Sequence, residues 1–366
     1  MDEDFLIQKL QERSKTGALR SLKLPDGQID YYSNDYLGIA TLRRIDEALR
    51  GKFLEHGSTG SRLLAGNYPL IVETENLIAG FHGADAALIF NSGYDANFGL
   101  LSCIAQRGDL LIFDKLSHAS IRDGVRQSFA DSCSFIHNDT EDLEKKLKLH
   151  TAGGSRKCFV VTESVFSMDG DIAPLSAMVS LCEKYGSYFI VDEAHATGIV
   201  GEQGEGVLQS MDLHKRCFAR IHTFGKALGC HGAVILGSKS LREYLINFCR
   251  PFIYSTAIPQ AAVSAIQAVY KIFPDMHQER EQLKNLISLF DRPGFSQSIT
   301  PIQCYIIPGN DKVKEAAATL KKNNFDVRPI LYPTVPLGEE RLRIALHSFN
   351  SMEDTERLIS VLSDKT

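Results

Sequence analysis

Two short stretches carry residue types that can do chemistry together. The first is Tyr188-Phe189-Ile190-Val191-Asp192-Glu193-Ala194-His195-Ala196-Thr197-Gly198, and the second is Thr223-Phe224-Gly225-Lys226. The run 188–191 is apolar, aromatic and β-branched, and too short for a free-standing helix, so it reads as a buried central strand of an α/β sheet. Two carboxylates and a histidine follow where that strand should end. In open α/β sheets the carboxyl end is where ligands sit. Residues 218–223 read as a second strand, with Lys226 just beyond it. An acid can keep a heteroaromatic ring nitrogen protonated, and a lysine amine can hold an aldehyde covalently. Together they meet the needs of pyridoxal phosphate.

The same residues spell Asp192-Glu193-Ala194-His195, the acidic box of a helicase-type ATPase. That box works only with a phosphate loop of the form G-x-x-x-x-G-K-[ST]. Here Gly225-Lys226 is followed by Ala227, and Arg220 stands where the first glycine should be. No other window fits, which excludes the ATPase.

The elements that must position these residues follow from the rest of the 366-residue chain. Its 44% hydrophobic and 23% charged residues are ordinary for a soluble globular protein with a sizeable core. The formal net charge of −5 offers no basic field for nucleic acid or membrane surfaces. No apolar run approaches the roughly 20 residues of a membrane span. The start Met1-Asp2-Glu3-Asp4 lacks a signal peptide's basic and apolar regions, and eight cysteines occur without a C-x-x-C pair. These features fit reduced thiols in a cytoplasmic protein, with no metal site expected.

Residues 4–20 show helical spacing, and 22–32 read as a hairpin about Pro25-Asp26-Gly27. The polar turn 33–38 precedes a helix expected over 42–54. Gly57–Asn67 is a glycine-rich loop that reads either as a flexible connector or as a border of the active site. After a helix at 70–82, the strand 86–90 runs through Asn91-Ser92-Gly93-Tyr94 into a new helix. Such a strand–turn–helix presents backbone N–H groups and a helix dipole to a phosphate. Strand 110–113 leads to Ser117-His118-Ala119-Ser120, an αβ unit covers 121–136, a charged helix covers 139–149, and 151–157 is a loop. Strand 158–162 ends in Glu163, followed by Ser167-Met168-Asp169-Gly170 and a helix over 174–186. This alternation predicts a mainly parallel sheet with helices on both faces. Beyond Pro259 a long helix (259–290), short strands at 302–307, 327–330 and 342–346, and helices at 312–323 and 351–363 form a smaller α+β domain. The expected division is an N-terminal arm (1–44), a large domain (45–258) and a small domain (259–366).

Taken together, these residues resemble the α-oxoamine synthases, pyridoxal-phosphate enzymes with the α/β fold of aspartate aminotransferase (fold type I). The resemblance runs from Ser33-Asn34-Asp35-Tyr36-Leu37-Gly38 to Arg341-Leu342-Arg343 and is carried by Ser117–Ser120, Val165–Asp171, Val191–Gly198 and Thr223–Lys226. Thr223-Phe224-Gly225-Lys226, Tyr254-Ser255-Thr256 and Pro333-Thr334-Val335-Pro336 are similar to an alanine-using branch that takes a pimeloyl thioester.

The resemblance implies a decarboxylating condensation of an amino acid with an acyl thioester. It implies that Lys226 binds the cofactor and removes the α-proton, that Asp192 pairs with the ring nitrogen, and that His118 stacks over the ring and meets the substrate carboxylate. It implies His195 and Ser167 near the ring's phenolic oxygen, with Gly93, Tyr94 and Thr223 about ring and phosphate. Arg343 would grip the substrate carboxylate, with Arg341 as a competitor read as solvent-exposed or structural; Arg20 and Thr334 would also contact substrate. Thr256 would reach the phosphate of a second copy, which implies a homodimer with shared sites. Glycine- or serine-using synthases share these residues, an aminotransferase or lyase would turn over without an acyl donor, and a non-catalytic interaction protein would lack the cofactor.

Overall fold

Short apolar runs bounded by polar turns build the central sheet. The computed structural model describes residues 3–51, 55–151 and 156–363. In chain order the strands are β1 (Ile29–Asp30), β2 (Ala86–Phe90), β3 (Leu110–Asp114), β4 (Asp131–Phe135), β5 (Cys158–Glu163), β6 (Tyr188–Asp192), β7 (Ala219–Thr223), β8 (Ala233–Gly237), β9 (Ile302–Ile306), β10 (Phe325–Asp326), β11 (Arg328–Ile330) and β12 (Arg341–Ala345). They fall into two compact units. The larger takes in the described residues of Leu37–Ser167 and Ile172–Gln278; the smaller takes in those of Met1–Tyr36, Met168–Asp171 and Glu279–Thr366.

The larger unit holds a seven-stranded sheet in the order β2-β8-β7-β6-β5-β3-β4. β8 runs antiparallel to both β2 and β7, while the pairings from β7 to β4 are parallel. β2 and β7 therefore share a direction, and the carboxyl ends of six strands line one edge. Leu88, Phe159, Val161, Ile190 and Ile235 pack with Leu100 and Ile121 in one core cluster. Their strand neighbours Ile89, Val160, Val191 and Val234 face the opposite side and are equally buried. A sheet covered on both faces explains why its strands are continuously apolar. Each such side chain contributes about 1.5–3 kcal/mol on burial.

Helix Gly93–Ile104 starts at Ser92, whose hydroxyl accepts the Asp95 N–H at 3.0 Å and donates to the Asp95 carboxylate at 2.8 Å. It packs on helix Ala119–Gln127 at Gly124, where a Cβ would come within 3.0 Å of Leu101 Cβ and Phe98 Cα. The close approach of these two helices brings Asn97 to Ser120, the hydroxyl that meets His118. In the smaller unit β11, β12 and β9 form an antiparallel sheet, and β1 pairs in parallel with β10. No helix among the described residues is long and apolar enough to cross a membrane.

Three expected elements differ. The hairpin over 22–32 is absent: Ile29 and Asp30 pair with Phe325 and Asp326 instead. Leu22 and Leu24 lie fully or largely in solvent, so that stretch has no face to bury, and Pro25 has no N–H to donate. The helix over 42–54 contracts to Asp46–Leu49, because Arg43 takes a left-handed φ of 53° before it and Arg50 turns extended (ψ 132°) after it; residues 52–54 lie outside the described residues, as do 152–155 of the loop expected over 151–157. The long helix over 259–290 is two, Gln260–Tyr270 and His277–Ser288, broken by a 3-10 turn at Phe273-Pro274-Asp275. Pro274 lacks the N–H that a continuous helix needs.

Candidate active site

Asp192 closes β6 and is 5% exposed. One of its oxygens accepts Asn97 Nδ2 at 2.7 Å and the other accepts the Ala194 N–H at 2.8 Å. β7 lies beside it in parallel, with Asp192 opposite Ile221, and Lys226 follows the end of β7 as a half-buried residue. The loop after Asp192 packs against the lysine segment at Gly198. Its φ is +83°, and a Cβ there would meet Ala227 Cβ at 3.0 Å. His195 lies in this loop and is buried.

Asn97 extends the site. Its Nδ2 also donates to Ser120 Oγ at 3.1 Å, and that hydroxyl lies 2.8 Å from His118 Nδ1. The Ser120 N–H donates to the same ring nitrogen at 3.2 Å. With Ser120 Oγ accepting from Asn97, its proton goes to His118 Nδ1, so Nδ1 accepts and the neutral ring carries its proton on Nε2. His118 is open to solvent at the cap of helix Ala119–Gln127. Partial desolvation of its ring lowers its pKa, with Asp192 opposing and Lys226 reinforcing the shift.

Glu163 ends β5 directly beside Asp192 in register and accepts the His118 N–H at 2.6 Å. Burial first, and Asp192 second, push its pKa up to about 8, against the pull of the His118 N–H and Lys226. Glu193, the second carboxylate of the motif, turns elsewhere: it accepts the Val207 and Leu208 N–H groups at 2.8 and 2.9 Å and starts a short helix.

The remaining residues of the larger unit sit as follows. Thr223 is buried at the end of β7, donates to the Gly232 carbonyl at 3.2 Å and lies 3.7 Å from the Cβ position of Gly93. Tyr94 is exposed, and its hydroxyl donates to Asp123 at 2.6 Å, tying the two helices. Ser167 is half-buried. Thr256 is exposed, and its carbonyl accepts Asn91 Nδ2 at 2.9 Å. The loop Gly57–Asn67 acts as a brace for this segment. Arg62 is buried on Glu75 at 2.8 and 3.3 Å and on Asn67 at 2.9 Å, and the Gly60 carbonyl accepts the Ala257 N–H at 3.0 Å.

In the smaller unit both arginines of β12 are buried. Of the two readings of Arg341, solvent-exposed or structural, the structural one fits: it forms ion pairs with Asp169 and, at 3.3 Å, with Glu339. Arg343 donates to Asn34 Oδ1 at 2.9 Å and Tyr36 Oη at 3.3 Å. Arg20 donates to Thr334 Oγ1 at 3.4 Å.

Asn97, Ser120 and Glu163 carry no role in the sequence reading. The available signal was a polar residue at an apolar position, since Asn97 shares its helix's buried face with Ala96, Leu100 and Leu101.

Comparison with known proteins adds independent findings. The family model for aminotransferase class I and II matches residues 26–362. The chain is 38% identical to an 8-amino-7-oxononanoate synthase of Emericella nidulans, covering 98% of this chain and 95% of that protein. A serine palmitoyltransferase of S. paucimobilis, solved with a bound adduct of pyridoxal phosphate and myriocin, superposes with a TM-score of 0.86 at 26% identity, over 99% of this chain and 96% of that one. An 8-amino-7-oxononanoate synthase of Francisella tularensis superposes with a TM-score of 0.80 at 27% identity, over 93% and 98%. The α/β fold is that of these transferases, and the chain belongs to the class I and II aminotransferase family.

Proposed function

We propose that this chain is a pyridoxal-phosphate-dependent C-acyltransferase that condenses L-alanine with a pimeloyl thioester, the reaction of an 8-amino-7-oxononanoate synthase. The observation that carries the reading is a lysine just past the end of β7, the strand that pairs in parallel with β6 and its buried, doubly hydrogen-bonded terminal aspartate. The donor set fits the cofactor. A carboxylate answers its ring nitrogen, an amine its aldehyde, and the Ser92-capped start of helix Gly93–Ile104, with Thr223, its phosphate. When bound, pyridoxal phosphate supplies an electron sink for negative charge at the amino acid's Cα.

The chain's own residues do the rest. Lys226 binds the cofactor and takes the α-proton at Nζ. Asp192 holds a proton at the ring nitrogen, and Asn97 and the Ala194 N–H keep its carboxylate aimed. His118 offers Nε2–H to the substrate carboxylate, and His195 and Ser167 meet the phenolic oxygen. Gly93 and Tyr94 contribute backbone N–H groups, and Arg343, Arg20 and Thr334 bind substrate. Cα bonds to the thioester carbonyl, the carrier thiol leaves, the amino acid's carboxylate departs as carbon dioxide, and a proton returned to Cα completes the balance. Mass spectrometry of the products from alanine, glycine and serine against a panel of acyl thioesters tests this. 8-Amino-7-oxononanoate from alanine and the pimeloyl thioester supports the reading. Turnover confined to glycine or serine would move the chain to another α-oxoamine synthase, and turnover without an acyl donor to an aminotransferase.

Arg341 is already neutralised by Asp169 and Glu339, which favours Arg343, on the same face of β12, as the proposed carboxylate anchor. Arg343→Ala raises the Michaelis constant for alanine roughly ten- to hundredfold, as loss of a charge-assisted pair worth about 1.5–3 kcal/mol requires. Arg341→Ala lowers the melting temperature and leaves that constant within about threefold, since its loss is structural. Steady-state kinetics and thermal melts decide it, and the reverse pattern moves the anchor to Arg341.

The working enzyme is a cytoplasmic homodimer in which Thr256 of each chain binds the phosphate held by its partner. Mixing inactive Lys226→Ala with an impaired Thr256→Ala protein restores activity after subunit exchange. Demonstrated exchange with no recovery would contradict shared sites.

A further inference from the structure

We propose that Glu163 is a positioning residue for His118, holding the backbone at the start of its helix so that the imidazole stays fixed relative to Asp192. Glu163 is 3% exposed, occupies the last position of β5 next to Asp192, and accepts the His118 N–H at 2.6 Å. The ring is held from its other end. Its Nδ1 takes bonds from Ser120 at 2.8 and 3.2 Å, Ser120 takes one from Asn97, and Asn97 binds Asp192 at 2.7 Å. His118 is thus held at backbone and ring by partners that lead back to two adjacent strand-end carboxyls. The groups acting on Glu163 are Asp192 and Asp114, which favour its protonated form, and Lys226 and the His118 N–H, which oppose it; burial outweighs them and pushes its pKa up. A carboxyl pushed toward its protonated form supplies an acceptor beside Asp192 while lessening repulsion with the ring-nitrogen partner. Buried acceptors of this kind are costly to remove, because the donor is left without a bond.

This inference deepens the proposed reaction and rests on it for its kinetic arm alone. The test compares Glu163→Gln, which keeps an oxygen acceptor, with Glu163→Ala, which does not, in holoenzyme labelled with 15N-histidine. Glu163→Gln keeps the His118 imidazole signals and leaves kcat/KM for the amino acid within about threefold. Glu163→Ala shifts the His118 signals and lowers kcat/KM roughly ten- to hundredfold while bound cofactor stays stoichiometric. If the alanine variant does not fold, Glu163→Asp, one methylene short of the N–H, replaces it with the same expected direction. Unchanged His118 signals on loss of the acceptor overturn the proposal, since a space-filling acid would give that result. A glutamine variant as impaired as the alanine variant also overturns it, because the ionisable proton and not the acceptor would then matter. Shifted imidazole signals in an enzyme that makes no condensation product leave the positioning intact and refute the reaction.

Discussion

Lys226→Ala lowers turnover by about three orders of magnitude or more and leaves no covalently held cofactor. The amine has two tasks under this account, binding the cofactor's aldehyde and taking the α-proton. A positioned general base alone contributes about 10²–10⁴-fold, and loss of the covalent anchor adds to it. The fold should survive. Lys226 is half-buried in a turn beyond β7, and the buried Ala227 and Leu228 that follow it are untouched by the change. A melting temperature close to that of the parent protein, with the rate lost, assigns the defect to chemistry. Steady-state assays beside thermal melts measure both, and a near-normal rate would remove Lys226 from the reaction.

Asp192→Asn gives the second-largest effect, a turnover reduced by roughly a hundredfold or more with cofactor retained. Removing the charge of a buried pair costs about 3–5 kcal/mol, which is that factor in rate. The hydrogen bonds add to the cost. Oδ1 can still accept the Ala194 N–H, but the new amide nitrogen faces Asn97 Nδ2, so two donors meet where a donor met an acceptor. Asn97 cannot simply flip, because the same Nδ2 donates to Ser120, which in turn fixes His118. The variant should therefore shift the His118 imidazole signals as well as the rate. Retained turnover would refute the role of Asp192 at the ring nitrogen.

The strand ends that carry Asp192 and precede Lys226 were legible in the sequence because their signals are local. The run 188–191 has the composition of a strand buried on both faces, and the acid and lysine follow strand ends directly. Where partners lie far apart in the chain, local patterns misled. Ile29 completes its ladder with Phe325, so Pro25-Asp26-Gly27 resembled a hairpin turn without being one. The glycine-rich loop showed its composition but not its use, which depends on Arg62 reaching Glu75 and on Gly60 holding Ala257. Glu193 stood in the motif as a second acid, yet its carboxylate caps the backbone at Val207 and Leu208. Arg341 and Arg343 point the same way from β12, and their partners differ through distant segments, Asp169 for the first and Asn34 for the second.

The central claim is that Lys226 and Asp192 at adjacent strand ends form one pyridoxal-phosphate centre. Borohydride reduction of the purified holoenzyme, followed by peptide mapping, tests it most directly. The account predicts a single phosphopyridoxyl label on the peptide containing Lys226, lost in Lys226→Ala and retained in Asp192→Asn. A label on another lysine would contradict it.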